Sequence, residues 1–226
     1  LSNVVVNGKD VYNNNKPDQN VTLVLSPTGV TPLSGTLTQA TDISGNATFN
    51  DLVITLTGTY SLTATAGSVN VVSNNFNIIA GTMSVYTFST QPTNTVAGAT
   101  MAALVVNGKD AYGNNSNGQQ VTISTTDGTL IAGTLDQITD GSGNAAFNDL
   151  VMTLTGAYTL KATNFALPVS ATSTGFNITA GAPNAVTFST QPTDAQAGTL
   201  SNVVVNVKDV YNNNKPAQNV ILALST

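Results

Sequence analysis

Internal repetition is the feature that most limits how this chain can fold. The stretch LSNVVVNGKDVYNNNKPDQNVTLVLS at residues 1–26 returns at residues 200–225 as LSNVVVNVKDVYNNNKPAQNVILALS, with 22 of 26 positions identical. A looser copy, MAALVVNGKDAYGNNSNGQQVTISTT, occupies residues 101–126 and matches the first at 12 of 26 positions. Such periodicity predicts tandem structural units of about 100 residues. Because the first and third copies are more similar in sequence to each other than the first is to the second, we also expect a duplicated block of two units, 199 residues long.

Three repeats follow from these matches. Residues 1–81 form repeat one, which lacks its first strand, residues 82–181 form a complete repeat two, and residues 182–226 hold the first strands of repeat three. The landmark YTFSTQPTNTVAGAT near the start of repeat two recurs as VTFSTQPTDAQAGTL in repeat three. We expect these repeats to belong to a longer array.

The composition excludes several kinds of chemistry. Only 8% of the residues are charged, the net charge is -5, and the sequence contains no His, Cys, Glu or Arg. Thiolate nucleophiles, imidazole bases and Cys/His metal sites are therefore excluded. A phosphate-backbone partner such as nucleic acid is not expected without a basic surface. No catalytic motif is present, so we do not expect an enzyme. No apolar run reaches the roughly 20 residues of a membrane span.

The hydrophobic pattern predicts an all-β fold. Short runs of alternating apolar residues are separated by Gly, Asn, Pro and Asp, without a helical period. In repeat two, seven strands are expected, at about 85–89, 104–110, 121–125, 131–139, 144–154, 157–163 and 173–179. The turn at residues 140–144 favours a hairpin between the fourth and fifth. Strand number and spacing are typical of an immunoglobulin-like sandwich, so we predict tandem seven-stranded β-sandwiches.

Alternation also predicts the core of repeat one. The residues expected to face inward are Val4, Val6, Gly8, Val21, Leu23, Leu25, Ala47, Phe49, Leu52, Ile54 and Leu56. The inward-facing residues change from odd to even positions at residues 50–51, and the same change recurs at residues 148–149 in repeat two. Such a shift in the alternation predicts a bulge or a strand break. Further aromatic residues recur at matching core positions, namely Phe147, Phe76 and Phe176.

Two tyrosines have the placement of a tyrosine corner. Tyr60 and Tyr158 lie two residues before Leu62 and Leu160, which take the inward position that a cysteine holds in antibody domains. We predict a structural role for both tyrosines, with aliphatic packing in place of a disulfide.

Together these strings resemble a known class of repeat. They are similar to the bacterial immunoglobulin-like repeats of very large surface proteins, of the invasin/intimin and filamin-like types. The strings that carry this resemblance are F-S-T-Q-P, A-G, V-V-N-G-K-D-x-Y-x-N-N, G-N-A-x-F-N-D-L, G-x-Y-x-L and F-N-I. The resemblance covers the whole sequence. It implies an extracellular stalk or fibre in which many modules separate a tip from a cell.

Five aspartates are candidates for a calcium site. Asp10, Asp110 and Asp209 each precede a tyrosine and a run of asparagines, and Asp42 and Asp140 bracket the tight turns. Carboxylate and amide oxygens suit a hard cation, whereas the same side chains can instead cap turns by accepting backbone N–H bonds. Both interpretations remain open from the sequence, and no other cofactor is expected.

The sequence therefore predicts a structural module of an extracellular stalk, adhesin shaft or surface filament. Its partners would be neighbouring repeats of the same chain, and self-assembly into a fibre is a further expectation. The alternative is an adhesive module that recognises a glycan or protein through its loops. Such a module would carry aromatic residues on loops that differ between repeats.

Overall fold

The structure is a computed structural model that describes residues 2–29 and 33–224. All regular secondary structure in these ranges is β-strand, which confirms the all-β prediction. Within the same ranges, no helix is long and apolar enough to cross a membrane. The chain divides into two compact units. The first comprises Leu1–Thr82 with Asp110–Asn114, and the second comprises Met83–Lys109 with Asn115–Thr226.

The first unit is built on two facing sheets. Its strands are β1 (Val4–Asn7), β2 (Asn20–Ser26), β3 (Thr38–Ala40), β4 (Asn46–Phe49), β5 (Gly58–Ala66), β6 (Val69–Val72) and β7 (Phe76–Ile78). One sheet pairs β1 with β4, and the other has the order β3-β2-β5-β6, with β7 also paired to β5. All of these pairings are antiparallel.

The second unit repeats this plan and adds strands. They are β8 (Met83–Thr90), β9 (Thr95–Val96), β10 (Leu104–Asp110), β11 (Gln120–Thr125), β12 (Asp136–Ile138), β13 (Asn144–Phe147), β14 (Gly156–Tyr158), β15 (Leu160–Asn164), β16 (Val169–Thr172), β17 (Phe176–Thr179), β18 (Ala185–Thr190) and β19 (Val204–Lys208). The sheets have the orders β13-β10-β8, β12-β11-β15-β16 and β14-β17-β9, and β18 pairs with β19. This is the immunoglobulin-like sandwich expected from the strand pattern.

The hydrophobic core is formed by residues that the apolar alternation of the strands predicts to face inward. In the second unit, Leu104 and Val106 of β10, Phe147 of β13 and Leu160 of β15 are at most 1% exposed and pack in one cluster. In the first unit, β2 alternates strictly between exposed and buried residues, and buries Val21, Leu23 and Leu25. Apolar burial of this kind is the main stabilising contribution in a domain without disulfides.

The predicted parity change is confirmed as a strand break. β4 ends at Phe49, and Leu52 is buried beyond the break with 2% exposure. Asp51 lies at this break, where its carboxylate accepts hydrogen bonds from the backbone N–H and the hydroxyl of Thr36. The equivalent break follows Phe147 in repeat two, where Asp149 binds Thr134 in the same way.

Three detailed expectations are wrong. Leu56 is 41% exposed rather than inward-facing, because the chain bends there and the Leu56 carbonyl oxygen accepts the hydroxyl of Tyr60. The turn at residues 140–144 does not close a hairpin, since β12 pairs with β11 and β13 pairs with β10. The strand expected at residues 131–139 is confined to β12, whereas β9 and β16 were not anticipated.

Candidate functional site: the Asp–Asn clasp

Each repeat carries a tight turn organised by an aspartate. In repeat three, Asp209 Oδ1 accepts the backbone N–H groups of Tyr211 and Asn213, both at 2.9 Å. The N–H of Asn212 donates to the carbonyl oxygen of Asp209 at 3.1 Å. Asn212 has a φ of 68°, and Gly113 fills the matching place in repeat two with a φ of 84°. Asparagine tolerates this left-handed geometry better than most residues, so the turn persists without glycine.

The asparagine that ends this turn reaches back to a distant loop. In the second unit, Asn213 Nδ2 donates to the carbonyl oxygen of Thr153 at 2.8 Å, and Asn213 Oδ1 accepts the N–H of Thr155 at 3.1 Å. Asp209 Oδ2 binds both Asn213 Nδ2 at 2.9 Å and the N–H of Gly181 at 3.0 Å. We call this set of contacts the Asp–Asn clasp. It joins a turn of repeat three to the loop at residues 153–155 of repeat two and to Gly181, the last residue of repeat two.

The first unit contains the same clasp. Asn114 Nδ2 donates to the Thr55 carbonyl oxygen at 2.8 Å, and Asn114 Oδ1 accepts the Thr57 N–H at 3.0 Å. Asp110 Oδ2 accepts the Gly81 N–H at 2.9 Å. Because both loop partners are backbone groups, the clasp depends on the course of the loop rather than on its side chains.

Burial separates the turns that form a clasp from the one that does not. Asp110, Asn114, Asp209 and Asn213 are between 2% and 6% exposed. The corresponding turn in repeat one has the same internal hydrogen bonds from Tyr12 and Asn14 to Asp10, yet its residues are exposed. The turn is therefore a local structure, which forms whether or not its residues are buried.

The aspartate of the clasp is held in its ionised form. Burial raises the pKa of Asp209 and is the largest single effect. Hydrogen bonds from Asn213, Gly181 and Tyr211 together outweigh it and lower the pKa below 3.8. The same balance lowers the pKa of Asp110. A carboxylate that accepts this many N–H bonds stays charged at neutral pH without a cationic partner.

Two more contacts reinforce the clasp of the second unit. The ring of Tyr211 lies so close to Gly98 that a Cβ added at Gly98 would overlap its hydroxyl group and ring. Lys215 Nζ donates to the carbonyl oxygen of Ala180 at 2.8 Å. Ser116 replaces this lysine in repeat two, and its buried Oγ has no hydrogen-bond partner.

The carboxylate of each calcium candidate accepts backbone N–H bonds from its own turn. Asp42 Oδ1 accepts bonds from Ser44 and Asn46, and Asp140 Oδ1 accepts bonds from Ser142 and Asn144. In residues 2–29 and 33–224, no three acidic side chains cluster as metal ligands would. The structure does not bring the five candidates together, and calcium binding at any one of them stays an untested prediction.

The aromatic candidates lie in or beside the two cores. Tyr60 and Tyr158 are 3% and 7% exposed, and their hydroxyls donate to the carbonyl oxygens of Leu56 at 3.1 Å and Leu154 at 3.0 Å. Their rings contact Phe76 and Phe176 at centroid distances of 6.3 and 6.2 Å. Phe49 and Phe147 are at most 1% exposed.

Comparison with solved structures finds bacterial surface proteins among the similar folds. The D0-D1 domain of intimin is 18% identical with a TM-score of 0.33, over 78% of this chain and 89% of that one. Domains 4–9 of the surface layer protein SbsC are 14% identical with a TM-score of 0.35, over 92% of this chain and 31% of that one. The Yersinia pseudotuberculosis adhesin InvE is 18% identical with a TM-score of 0.35, over 78% of this chain and 53% of that one.

Neither a protein-family model nor a curated protein sequence matches the chain.

Sequence reasoning recognised the aspartates but missed the role of the asparagines. The sequence predicts the aspartate-capped turns but not the long-range hydrogen bonds of the Asn114, Asn213 and Lys215 side chains. The spacing D-x-x-x-N occurs at residues 10–14, 110–114 and 209–213, but also at residues 42–46 and 140–144, so by itself it does not identify the asparagines of the clasp.

Proposed function

We propose that this chain is a structural tandem-repeat segment of an extracellular stalk, adhesin shaft or surface fibre. The observation that carries the proposal is the Asp–Asn clasp, which forms around both Asn114 and Asn213. It connects a turn of one repeat to a loop and to the last residue of the preceding repeat through buried hydrogen bonds. A module whose buried polar side chains serve the connection between repeats is suited to a load-bearing or spacing role.

The chemistry of the clasp supports this role. Its loop partners are backbone N–H and C=O groups, and its one charged member, the aspartate, is stabilised by the hydrogen bonds that it accepts. Salt screens exposed ion pairs, but it has little effect on short buried hydrogen bonds. The connection is thus expected to persist over the wide range of ionic strength that a cell surface meets.

The alternative role, an adhesive module, would use exposed aromatic side chains on loops. Tyr12 and Tyr112 are 83% and 66% exposed on their turns. Their counterpart Tyr211 packs over Gly98, so this tyrosine has a structural use within the array. This contact favours the shaft over the adhesive tip.

Electron microscopy with antibodies raised against the chain tests the proposal. On intact source cells, we expect gold label outside the cell envelope and along threads whose axial period is about 60–70 Å, because the longest strand of a sandwich, β5, has 9 residues at about 3.3 Å each and the period spans two sandwiches. Label confined to the cell interior would contradict the surface location. Label at isolated tips alone would favour the adhesive role.

A further inference from the structure

The first stretch of repeat two contributes to two sheets of the second unit. β8 lies beside β10 in one sheet, and β9 pairs in parallel with β17 in another. Pro92 lies between β8 and β9, and because it has no backbone N–H it cannot continue the pairing of β8. After β9, the N–H of Ala97 donates to the carbonyl oxygen of Thr179 at 2.8 Å. The parallel pairing therefore joins the first stretch of the repeat to its last strand.

Two side chains lengthen this short pairing. β9 itself is only two residues long. Asn94 Oδ1 accepts the backbone N–H of Asn177 at 2.7 Å. Gln91 Oε1 accepts the backbone N–H of Thr174 at 2.9 Å and the hydroxyl of the same residue at 3.2 Å. The hydrogen bonds to β17 and to the residues just before it thus begin at residue 91 rather than at residue 95.

The side chain of Gln91 also binds the strand of the other sheet. Its Nε2 donates to the carbonyl oxygen of Phe88 at 3.3 Å, and Phe88 lies in β8 with 9% exposure. Gln91 is itself partly buried, and Pro92, which follows it, is buried. One amide group therefore ties the point where the chain crosses from β8 to β9 to the residues that precede β17.

Strand direction decides how these bonds respond to tension. In a tandem array, tension enters repeat two before β8 and leaves it after β17. Because β9 and β17 run parallel, tension pulls the two strands in opposite directions along their length. Hydrogen bonds of a sheet lie across the strands, so the bonds from residue 91 to residue 97 are loaded together and must break together. Bonds between antiparallel terminal strands would instead open one at a time from one end.

We propose that β9, with the side chains of Gln91 and Asn94, is a shear clamp on β17 that keeps repeat two folded under tension. If β8 leaves β10 first, the clamp still connects the first stretch of the repeat to its last strand. The use of the clamp rests on the proposed stalk function, whereas its mechanical resistance is a property of the chain alone. The clamp and the stalk function can therefore be tested separately.

The test is constant-force unfolding of single 226-residue chains. The sequence contains no Cys, so one cysteine added at each end attaches the handles at defined places. Unfolding of residues 83–179 is recognised by a lengthening of roughly 300 Å, at about 3.3–3.6 Å per residue. The double variant Gln91→Ala, Asn94→Ala loses the three bonds to Thr174 and Asn177. We expect it to unfold at least about tenfold faster than the unmodified chain at the same force, because these bonds must break before the repeat opens.

Two single variants at Asn94 separate the hydrogen bond from the residue. Repeat three has Asp194 in the same place, and a carboxylate oxygen can accept the same N–H, so Asn94→Asp should unfold within about twofold of the unmodified rate. Asn94→Ala changes an exposed residue and should unfold at least about threefold faster, which keeps the test available if the double variant does not fold.

Thr139→Val is the control for stability without a change in the clamp. The Thr139 hydroxyl accepts the N–H of Gln119 and donates to the carbonyl oxygen of Ser116, so its bonds lie outside the terminal strands. This variant should lower the melting temperature and leave the unfolding rate under force within about threefold. Circular dichroism should show that each variant is folded.

An unchanged unfolding rate in the double variant would overturn the clamp. Equal acceleration by Thr139→Val would overturn it as well, because global stability rather than shear of β9 against β17 would then set the rate. Either result would leave the stalk function to the labelling of intact cells, which does not depend on the clamp.

Discussion

Asn213 Nδ2 donates a hydrogen bond to the carbonyl oxygen of Thr153 at 2.8 Å, across 60 residues of sequence. The same side chain accepts the N–H of Thr155 and contacts Asp209 of its own turn. One amide group therefore links a locally formed turn to a loop of the preceding repeat.

Asn213→Ala is expected to weaken the clasp by about 1–3 kcal/mol, because it leaves the partly buried Thr153 carbonyl and Thr155 N–H without their partner. Hydrogen exchange at the Thr155 amide should accelerate correspondingly. Asn14→Ala is the matched control, since the Asn14 side chain binds Asp10 in its own exposed turn. Comparable effects of both variants on amide exchange in the preceding loop would contradict the clasp.

Gly98→Ala is expected to destabilise the second unit more than Gly128→Ala does. Both glycines have positive φ, 81° and 80°, so both variants carry a backbone cost of about 1–2 kcal/mol. Only a Cβ at Gly98 would collide with Tyr211, whereas nothing lies within 4 Å at Gly128.

Thermal unfolding of a double variant separates the two causes. We expect Gly98→Ala to lower the free energy of unfolding by more than Gly128→Ala does. Adding Tyr211→Ala to Gly98→Ala should remove this difference. If the double variant is no more stable than Gly98→Ala alone, the contact with Tyr211 is not the source of that cost.

Asp149 is expected to make stability depend on acid pH. Hydrogen bonds from the hydroxyl and N–H of Thr134 lower the pKa of Asp149 below its ordinary 3.8. Because the pKa of Asp149 is lower in the native state than in the unfolded state, its contribution to stability is fully present above the ordinary pKa of an aspartate. This contribution is lost as the pH falls through the lowered pKa of the native state. The melting temperature of Asp149→Asn should therefore lie below that of the unmodified chain at about pH 7, and the difference should narrow towards about pH 2.

Asp194→Asn serves as the control, because Asp194 is exposed on a loop far along the sequence from the strand break. A pH-independent difference between the Asp149→Asn variant and the unmodified chain would show that the charge of Asp149 is not what stabilises the break.

Tyr158→Phe is expected to lower the free energy of unfolding by about 0.5–1.5 kcal/mol, because it removes the hydroxyl that binds the Leu154 carbonyl oxygen and keeps the ring. Tyr112→Phe is the matched change at an exposed tyrosine and should have little effect. Denaturant unfolding measures both. Equal losses would contradict a tyrosine corner at Tyr158.

Much of the fold was predictable because it depends on local patterns. The alternation of Val21, Leu23 and Leu25 gives the buried face of a strand in any sandwich. The parity change at residues 50–51 predicted the strand break, and the asparagine and glycine residues after each clasp aspartate predicted a tight turn. Leu56 was misplaced because the bend that exposes it depends on the hydroxyl of Tyr60, four residues later.

By itself, the sequence determined the repeat, the all-β class, the composition of the cores and the aspartate-capped turns, since each follows from contacts within a few residues or from periodicity. The tertiary structure alone decided which groups those turns bind. Asn213 ends a turn that forms locally, yet it is 5% exposed and binds Thr153 and Thr155, which lie 60 and 58 residues earlier in the sequence. Hydrogen bonds over such a separation exist only when packing brings the two segments together, and no local preference of either segment specifies them.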